Sequence, residues 1–446
     1  MAPALLVLAL TALAAPSLAQ PGPDLDACSV AALTPQQRVE VCTRALTGKL
    51  PAADRAATYN NIGVAWKAQG DIDRAIAAYD QAIAANPRLV NAYVNRGVAL
   101  GARGDLDAAL RDFSQAIEVD PRFAQAYRNR ARALQSRGEW ERAIKDLDEA
   151  IRLEPKIAQS YVERAGAWEA AADVGRATAD LTEAIRLEPQ RAELFVFRGL
   201  LWDRQRDTTR SIADYDEAIR LNPLLAPAYN NRCNTWLIKE AYDRAAADCT
   251  EALKLDPHLT QAHFNRGVLW VIAEDYAKAR EEFDQAIRLN PRFAPAYKSR
   301  AALNFYTGRY DEAQADLAQA SSLLASDPYV AIWRYLAKAR VGHADAAARE
   351  LAASATGSDH GAWPAPVIEL YLGHGDPASV FKAAQQGDAR AQNDQQCEAA
   401  FYVGQWHLLQ GQNGQALRLF EDAQRNCRKS FSESGGARAE LDRMSR

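Results

Sequence analysis

No recognised catalytic or metal-binding signature occurs in this chain. Its six histidines (His258, His263, His343, His360, His374 and His407) are scattered, and no HExxH, GxSxG or phosphate-loop pattern is present. The cysteines include no CxxC and no paired Cys/His spacing, which argues against zinc. Carboxylate pairs are abundant, but they recur with the helical pattern and so mark solvated surface. Charge of one sign is not in excess either: 53 basic residues face 57 acidic ones, without long like-charge runs. That balance gives no electrostatic ground for nucleic acid or an anionic membrane as the main partner. Low-complexity tracts are absent, and the β-favouring signal is weak because Ala, Arg, Leu, Glu and Asp dominate. What remains is an ordinary composition, 48% hydrophobic and 25% charged, in 446 residues, too many for a single compact core. No cofactor and no metal are expected, and no segment is left over for an enzyme domain.

The first residues are read as lying outside the fold. Ala4 to Ala15 is apolar except for Thr11, and Ser17-Leu18-Ala19 supplies small residues for cleavage before Gln20. Residues 1–19 are therefore expected to be a secretory signal peptide, giving a periplasmic or secreted protein. A membrane anchor is the rival, but the apolar stretch is short and stops at Pro16, so no membrane span is expected. A lipid-anchoring Cys would follow the apolar run directly; the first cysteine is Cys28, preceded by Asp26.

Proline sets the period. Pro87, Pro121, Pro155, Pro189, Pro223, Pro257 and Pro291 are each 34 residues from the next. With each Pro as position 32, repeats begin at Ala56, Val90, Ala124, Ala158, Ala192, Ala226, Thr260 and Ala294. Position 4 is aromatic apart from His263; position 8 is Gly or Ala apart from Cys233; position 27 is Ala from Ala82 to Ala320. Small residues at 8, 20 and 27 let two antiparallel helices approach closely, and aromatics fill the seam beside them. Gly70, Gly104, Gly138 and Gly308 mark the turn between helices, and the Pro stops the second helix. No such hairpin buries its apolar face alone, so the units must stack.

In period and signature positions this resembles the tetratricopeptide repeat over residues 56–327, eight repeats. The resemblance implies an all-α fold, a right-handed superhelical solenoid of antiparallel helix pairs with a concave inner channel. Residues 20–55 read as an N-terminal segment and capping helix, with Arg38 to Thr47 as a lone second helix. Residues 328–396 read as degenerate helical repeats broken at Gly357 to Gly361, residues 397–430 as a further repeat-like unit, and residues 431–446 as a flexible tail that frays. The segment Trp363-Pro-Ala-Pro-Val-Ile-Glu-Leu-Tyr-Leu-Gly and the repeat from Cys397 resemble the end of NlpI-type bacterial envelope adaptors, which dock proteases and cell-wall enzymes. The lipid-anchoring Cys of that group is missing here.

Facing positions of an antiparallel hairpin have a constant sum. Cys233 (position 8) and Cys249 (position 24) sum to 32, as do Cys397 (position 1) and Cys427 (position 31), which leaves Cys28 with Cys42. Three local disulfides agree with an oxidising compartment. Arg recurs at position 7 (Arg96, Arg130, Arg164, Arg198, Arg232, Arg266, Arg300), and position 23 is acidic in the same repeats. The sum is constant again, so these are read as a structural ladder of partly buried ion pairs rather than as ligand-binding arginines.

Position 6 carries Asn61, Asn95, Asn129, Asn231 and Asn265, which should project into the channel from an exposed face. Neighbouring inner positions add Asn60, Asn91, Arg128, Arg132, Asn230 and Asn234. An amide offers donors and an acceptor, so such a row suits the backbone of an extended peptide. It resembles the asparagine ladders of other peptide-binding tetratricopeptide proteins. Glu163 and Phe197 interrupt it, and Phe197 and Leu200, beside Val162 and Val196, suggest an apolar anchor. The plainer alternative is that Asn is a tolerated solvated residue there. The expected function is a non-catalytic scaffold that binds a peptide or partner protein in the channel. The alternative is an NlpI-like periplasmic adaptor delivering substrates to an envelope protease or cell-wall enzyme.

Overall fold

The structure, a computed structural model, describes residues 23–29, 33–324, 327–354 and 362–445. The expected signal segment and the Gly357 to Gly361 break lie outside these residues. The described residues form helices without a strand and divide into two compact units, Met1–Pro189 and Gln190–Arg446. The first holds α1 (Pro23–Ser29), α2 (Pro35–Ala45), α3 (Ala52–Ala68), α4 (Ile72–Ala85), α5 (Val90–Arg103), α6 (Leu106–Val119), α7 (Ala124–Ser136), α8 (Trp140–Leu153), α9 (Ala158–Ala170) and α10 (Val174–Leu187). The second opens with α11 (Ala192–Arg204), α12 (Thr208–Leu221), α13 (Ala226–Ile238), α14 (Tyr242–Leu255), α15 (Thr260–Ile272), α16 (Tyr276–Leu289), α17 (Ala294–Tyr306) and α18 (Tyr310–Leu323). It continues with α19 (Pro328–Ala339), α20 (Ala344–Ser354), α21 (Ala365–Tyr371), α22 (Pro377–Ala383), α23 (Ala389–Leu409), α24 (Asn413–Asn426) and α25 (Ser432–Met444).

Each repeat is an A helix packed antiparallel on a B helix, as the period predicts. B helices end on an extended residue immediately before the repeat proline, such as Asn86, Asp120 and Asn222, where the proline ring disfavours helical backbone. The A-to-B turn passes through a left-handed residue in every repeat. Glycine supplies it at Gly70, Gly104, Gly138 and Gly308, but Ala172, Arg206, Glu240 and Glu274 adopt it without that freedom. Five of the eight B helices then start on an Asp cap, Asp71, Asp105, Asp173, Asp207 and Asp275, whose side chain accepts a backbone N–H three residues on.

Positions 8 and 24 share one slot, and their volumes compensate. Glycine faces an aromatic ring (Gly63 with Tyr79, Gly97 with Phe113, Gly199 with Tyr215, Gly267 with Phe283), so close that a Cβ on Gly97 would meet the Phe113 ring at 2.6 Å. Where position 8 is Ala131, Ala165 or Ala301, position 24 is Leu147, Leu181 or Leu317, all buried. In the sixth repeat the slot holds the disulfide Cys233–Cys249. Cys28–Cys42 ties α1 to α2 and Cys397–Cys427 ties α23 to the end of α24, so all three expected pairs form. The helix expected from Arg38 is α2, begun by a capping box of Thr34 and Gln37.

The C-terminal end differs from expectation in two ways. Helix α23 begins at Ala389, eight residues before Cys397, because Asp388 caps it by accepting from the Arg390 and Ala391 backbone. The stretch expected to fray is α25, a packed helix. Its Gly435 and Gly436 sit where a Cβ would fall 2.8 Å from the Tyr306 ring and 2.7 Å from the Phe401 ring, so the small residues serve close packing rather than flexibility. Glu440 on α25, almost wholly buried, is held by Arg340 at 2.5 Å and by Gln405 at 3.0 Å.

Candidate functional site: the inner helix face

Within each unit the A helices of successive repeats touch, while successive B helices approach less closely. Curvature therefore turns the A helices inward, and positions 2, 5, 6 and 9 form the inner face. Stiffness comes from the ion-pair ladder. Arg96 donates through Nε and Nη2 to Asp112 at 2.7 Å each, and Arg130 and Arg164 grip Asp146 and Asp180 in the same bidentate way. In unit two Arg198, Arg232 and Arg300 do likewise with Asp214, Asp248 and Asp316, and Arg266 pairs with Glu282. The third guanidinium nitrogen reaches the preceding repeat: Arg96 to Asp80, Arg130 to Ser114, Arg164 to Asp148. Each of the ladder arginines except Arg266 also lies over its own position-4 ring, for example Arg164 5.8 Å from the centre of Tyr161. Hydrogen bonds to Asp112 and Asp180 hold the Arg96 and Arg164 guanidiniums well above their ordinary range, which keeps the ladder charged. At the one position-4 histidine, His263 faces Glu282 through Nδ1 at 2.7 Å and the Pro257 carbonyl through Nε2 at 3.0 Å.

The asparagine row is not uniformly exposed. Asn129, Asn230 and Asn265 are buried, Asn265 to 1% exposure, so the expectation of a free solvated row is corrected for these three. For Asn230 and Asn265 the cause is pairing between neighbouring A helices, whereas Asn129 is buried with its Nδ2 unpartnered among the described residues and its Oδ1 accepting from Arg132 of the same helix at 3.4 Å. Asn95 Nδ2 donates to Asn60 Oδ1 at 2.9 Å, and Asn265 Nδ2 donates to Asn230 Oδ1 at 3.1 Å. Asn230 in turn donates to Asn231 Oδ1 at 3.2 Å. Asn61 is half-buried, its amide directed at Cys28 Sγ of α1 at 3.9 Å. Asn91 and Asn234 are exposed. Glu163, read as an interruption, joins the inner network: its Oε1 accepts from Arg132 Nε at 2.9 Å and from Gln159 at 3.1 Å. Arg128 turns to Glu154 at 2.5 Å. On α11, Phe197 is half-buried and Leu200 is 40% exposed.

The two units present different inner faces. In unit one the Asn60–Asn95 pair spends one donor and one acceptor, leaving Asn60 Nδ2 and Asn95 Oδ1 accessible and without a partner among the described residues. One N–H donor beside one carbonyl acceptor is the complement of a peptide group. In unit two the chain covers part of its own inner face. Residues Ser430 to Ser432 lie over Val268, Ser299 and Ala302, which are inner positions of repeats seven and eight. Tyr306 donates to the Ser432 carbonyl at 2.6 Å, and Arg443 donates to the carbonyls of Phe305 and Tyr306. The repeat period gave no sign of this fold-back. Glu398 and Glu433 were also missed, although a lone Glu within Cys397-Glu-Ala-Ala-Phe-Tyr is a signal of a buried carboxylate. Among the described residues no cluster could hold a metal ion, and no helix is long and apolar enough to cross a membrane.

Family comparison agrees with this architecture. A family model described as tetratricopeptide repeat matches residues 94–156 and 169–226, and two others of the same description match 56–89 and 260–293. Among solved structures the chain is similar to a tetratricopeptide repeat protein from Parabacteroides merdae, at 17% identity over 53% of this chain and 93% of that one, TM-score 0.45. It is similar to PilF of Pseudomonas aeruginosa at 17% identity over 47% and 96% of the two chains, TM-score 0.42. It is also similar to YrrB, described as having an unusual peptide-binding site, at 24% identity over 42% and 97%, TM-score 0.35. No curated protein matches the chain.

Proposed function

We propose that this chain, which is a tetratricopeptide-repeat protein, is a non-catalytic scaffold that holds an extended peptide or partner protein along the inner face of its first unit. The observation that carries the reading is the amide pair of Asn60 and Asn95, which offers an unspent donor and an unspent acceptor on that face. Asn91 and Arg132 extend the polar surface on either side, both exposed. In the second unit the corresponding pair, Asn230 and Asn265, is buried, and the C-terminal segment covers part of the neighbouring face. Three disulfides support residence in an oxidising compartment, in keeping with an exported, periplasmic or secreted protein.

A displayed random-peptide library panned on the oxidised full-length protein supplies the probe. The selected peptides are then measured by fluorescence anisotropy against wild type and against Asn60→Ala/Asn91→Ala/Asn95→Ala. Removing both members of the amide pair together avoids stranding either. Each lost contact counts on the order of 1 kcal/mol, so binding should weaken tenfold or more while helicity stays unchanged. Unchanged affinity in the triple variant would exclude this face.

A further inference from the structure

A second feature lies wholly in unit two and was not part of the scaffold reading. Between α17, α19, α23 and the start of α25 is a cavity of about 490 Å³. Four aromatic rings line it, Phe264, Tyr329, Trp333 and Phe431, together with two carboxylates, Glu398 and Glu433. Glu398 Oε2 accepts from the Trp363 indole at 2.6 Å and from Tyr329 at 2.9 Å. Glu433 Oε1 accepts from Tyr402 at 2.6 Å, and Trp333 also donates to this carboxylate. All four donors are neutral. The one cation among the lining residues, Lys298, is held 2.7 Å from Asp327, which shares its charge with a third carboxylate. The cavity thus sets two carboxylates behind aromatic walls, and its one lining cation, Lys298, is already paired with Asp327.

We infer that this cavity is a binding site for a cation on an apolar stem, a primary ammonium or guanidinium group, presented as a lysine or arginine side chain of a bound polypeptide. The stem packs on the rings, the ring faces attract the cation, and the two carboxylates take its N–H groups. Bringing a positive charge to the pair favours their ionised forms. Burial and the mutual repulsion with Glu433 raise Glu398 to about 7, and Asp394 on the same helix adds to this, while the Trp363 and Tyr329 hydrogen bonds and nearby Lys298 oppose it at one carboxylate or the other. Binding therefore expels protons and strengthens as pH rises through neutrality. The scaffold reading matters here only for the source of the cation, since the cavity shares no residue with the inner face of unit one.

The test titrates the full-length oxidised protein with a lysine-centred heptapeptide, its norleucine counterpart and free cadaverine. Calorimetry at pH 6 and pH 8, in buffers of different ionisation enthalpy, reads affinity and proton release together. The lysine peptide should bind at least tenfold more tightly than the norleucine peptide, bind more tightly at pH 8 than at pH 6, and release protons. Glu398→Gln, which keeps the shape and hydrogen bonding of a neutral carboxyl, should lose tenfold or more and abolish most of the proton release. Phe431→Ala gives a second variant at the cavity wall that leaves both carboxylates in place, and it too should weaken the lysine peptide. Cadaverine matching the lysine peptide supports the site and assigns it to a free diamine; cadaverine failing while the peptide binds assigns it to a polypeptide. Equal binding of the lysine and norleucine peptides, or full binding by Glu398→Gln, overturns the inference. The Asn60/Asn91/Asn95 variant should bind the lysine peptide here normally, which separates this site from the inner face of unit one.

Discussion

Replacing Asp180 with Ala cuts one rung of the ladder where its geometry is best defined. Asp180 is 6% exposed and accepts two charge-assisted hydrogen bonds from Arg164, at 2.8 and 2.6 Å. Hydrogen bonds to charged groups contribute about 1.5–3 kcal/mol, and breaking a fully buried pair costs about 3–5 kcal/mol. The rung falls between these limits. Arg164 keeps 20% of its side chain exposed, retains Asp148 at 2.6 Å and still lies over Tyr161. The expected loss is about 2–3 kcal/mol. Repeat arrays unfold with reduced cooperativity, so the informative assay is local: hydrogen exchange by mass spectrometry across α9 and α10 in the full chain. Glu183→Ala is the control, because its i,i+3 pair with Arg186 lies at the surface, where solvent screens it, and contributes little. Arg164→Met with Asp180→Leu should lose less protection than Asp180→Ala alone, since neither charge is left stranded. A double variant whose loss equals the sum of the two single losses would show that the residues are not coupled and would refute the ladder.

Gly97→Ala should destabilise the second repeat by about 1–3 kcal/mol, because the added methyl meets the Phe113 ring; adding Phe113→Leu, the pairing found at Ala131 and Leu147, should restore most of it in urea unfolding. Glu398 predicts a pH dependence. Its folded-state value of about 7 lies above the ordinary 4.5, so the folded chain holds a proton that the unfolded chain releases; stability falls as pH rises from about 4.5 to 7. Glu398→Gln should therefore gain on wild type by on the order of 2 kcal/mol between pH 5 and pH 8, read as the difference in thermal midpoints; a difference independent of pH would contradict the burial of that charge.

The repeat was legible because its restraints recur. Prolines at a fixed spacing located the B-helix ends, and constant sums of positions located both the arginine–carboxylate rungs and the Cys233–Cys249 bridge, since antiparallel helices convert sequence spacing directly into contact. Contacts between repeats were less visible. The reach of Arg96 to Asp80 and the pairing of Asn95 with Asn60 depend on the stagger of stacked hairpins, which no single hairpin encodes. Position 6 therefore read as a uniform exposed row when two of its amides, Asn129 and Asn265, are buried, as is Asn230 at the neighbouring position 5. Beyond Ala320 the period slips, and composition alone made Gly435-Gly436 look like a tail. Only the rings of Tyr306 and Phe401 against them show that the glycines admit a helix to the core.

Site-directed photo-crosslinking tests the central claim, that the inner face of unit one holds the polypeptide partner. Benzoylphenylalanine in place of Arg132 on α7 samples the inner face, and in place of Arg142 on α8 it samples the B-helix side; their side chains are 54% and 65% exposed, so accessibility does not separate them. With a library-selected peptide and the full-length oxidised protein, the Arg132 position should crosslink strongly and the Arg142 position weakly or not at all. Equal crosslinking at both positions, or crosslinking at Arg142 alone, would contradict the account and move the binding surface off the inner face.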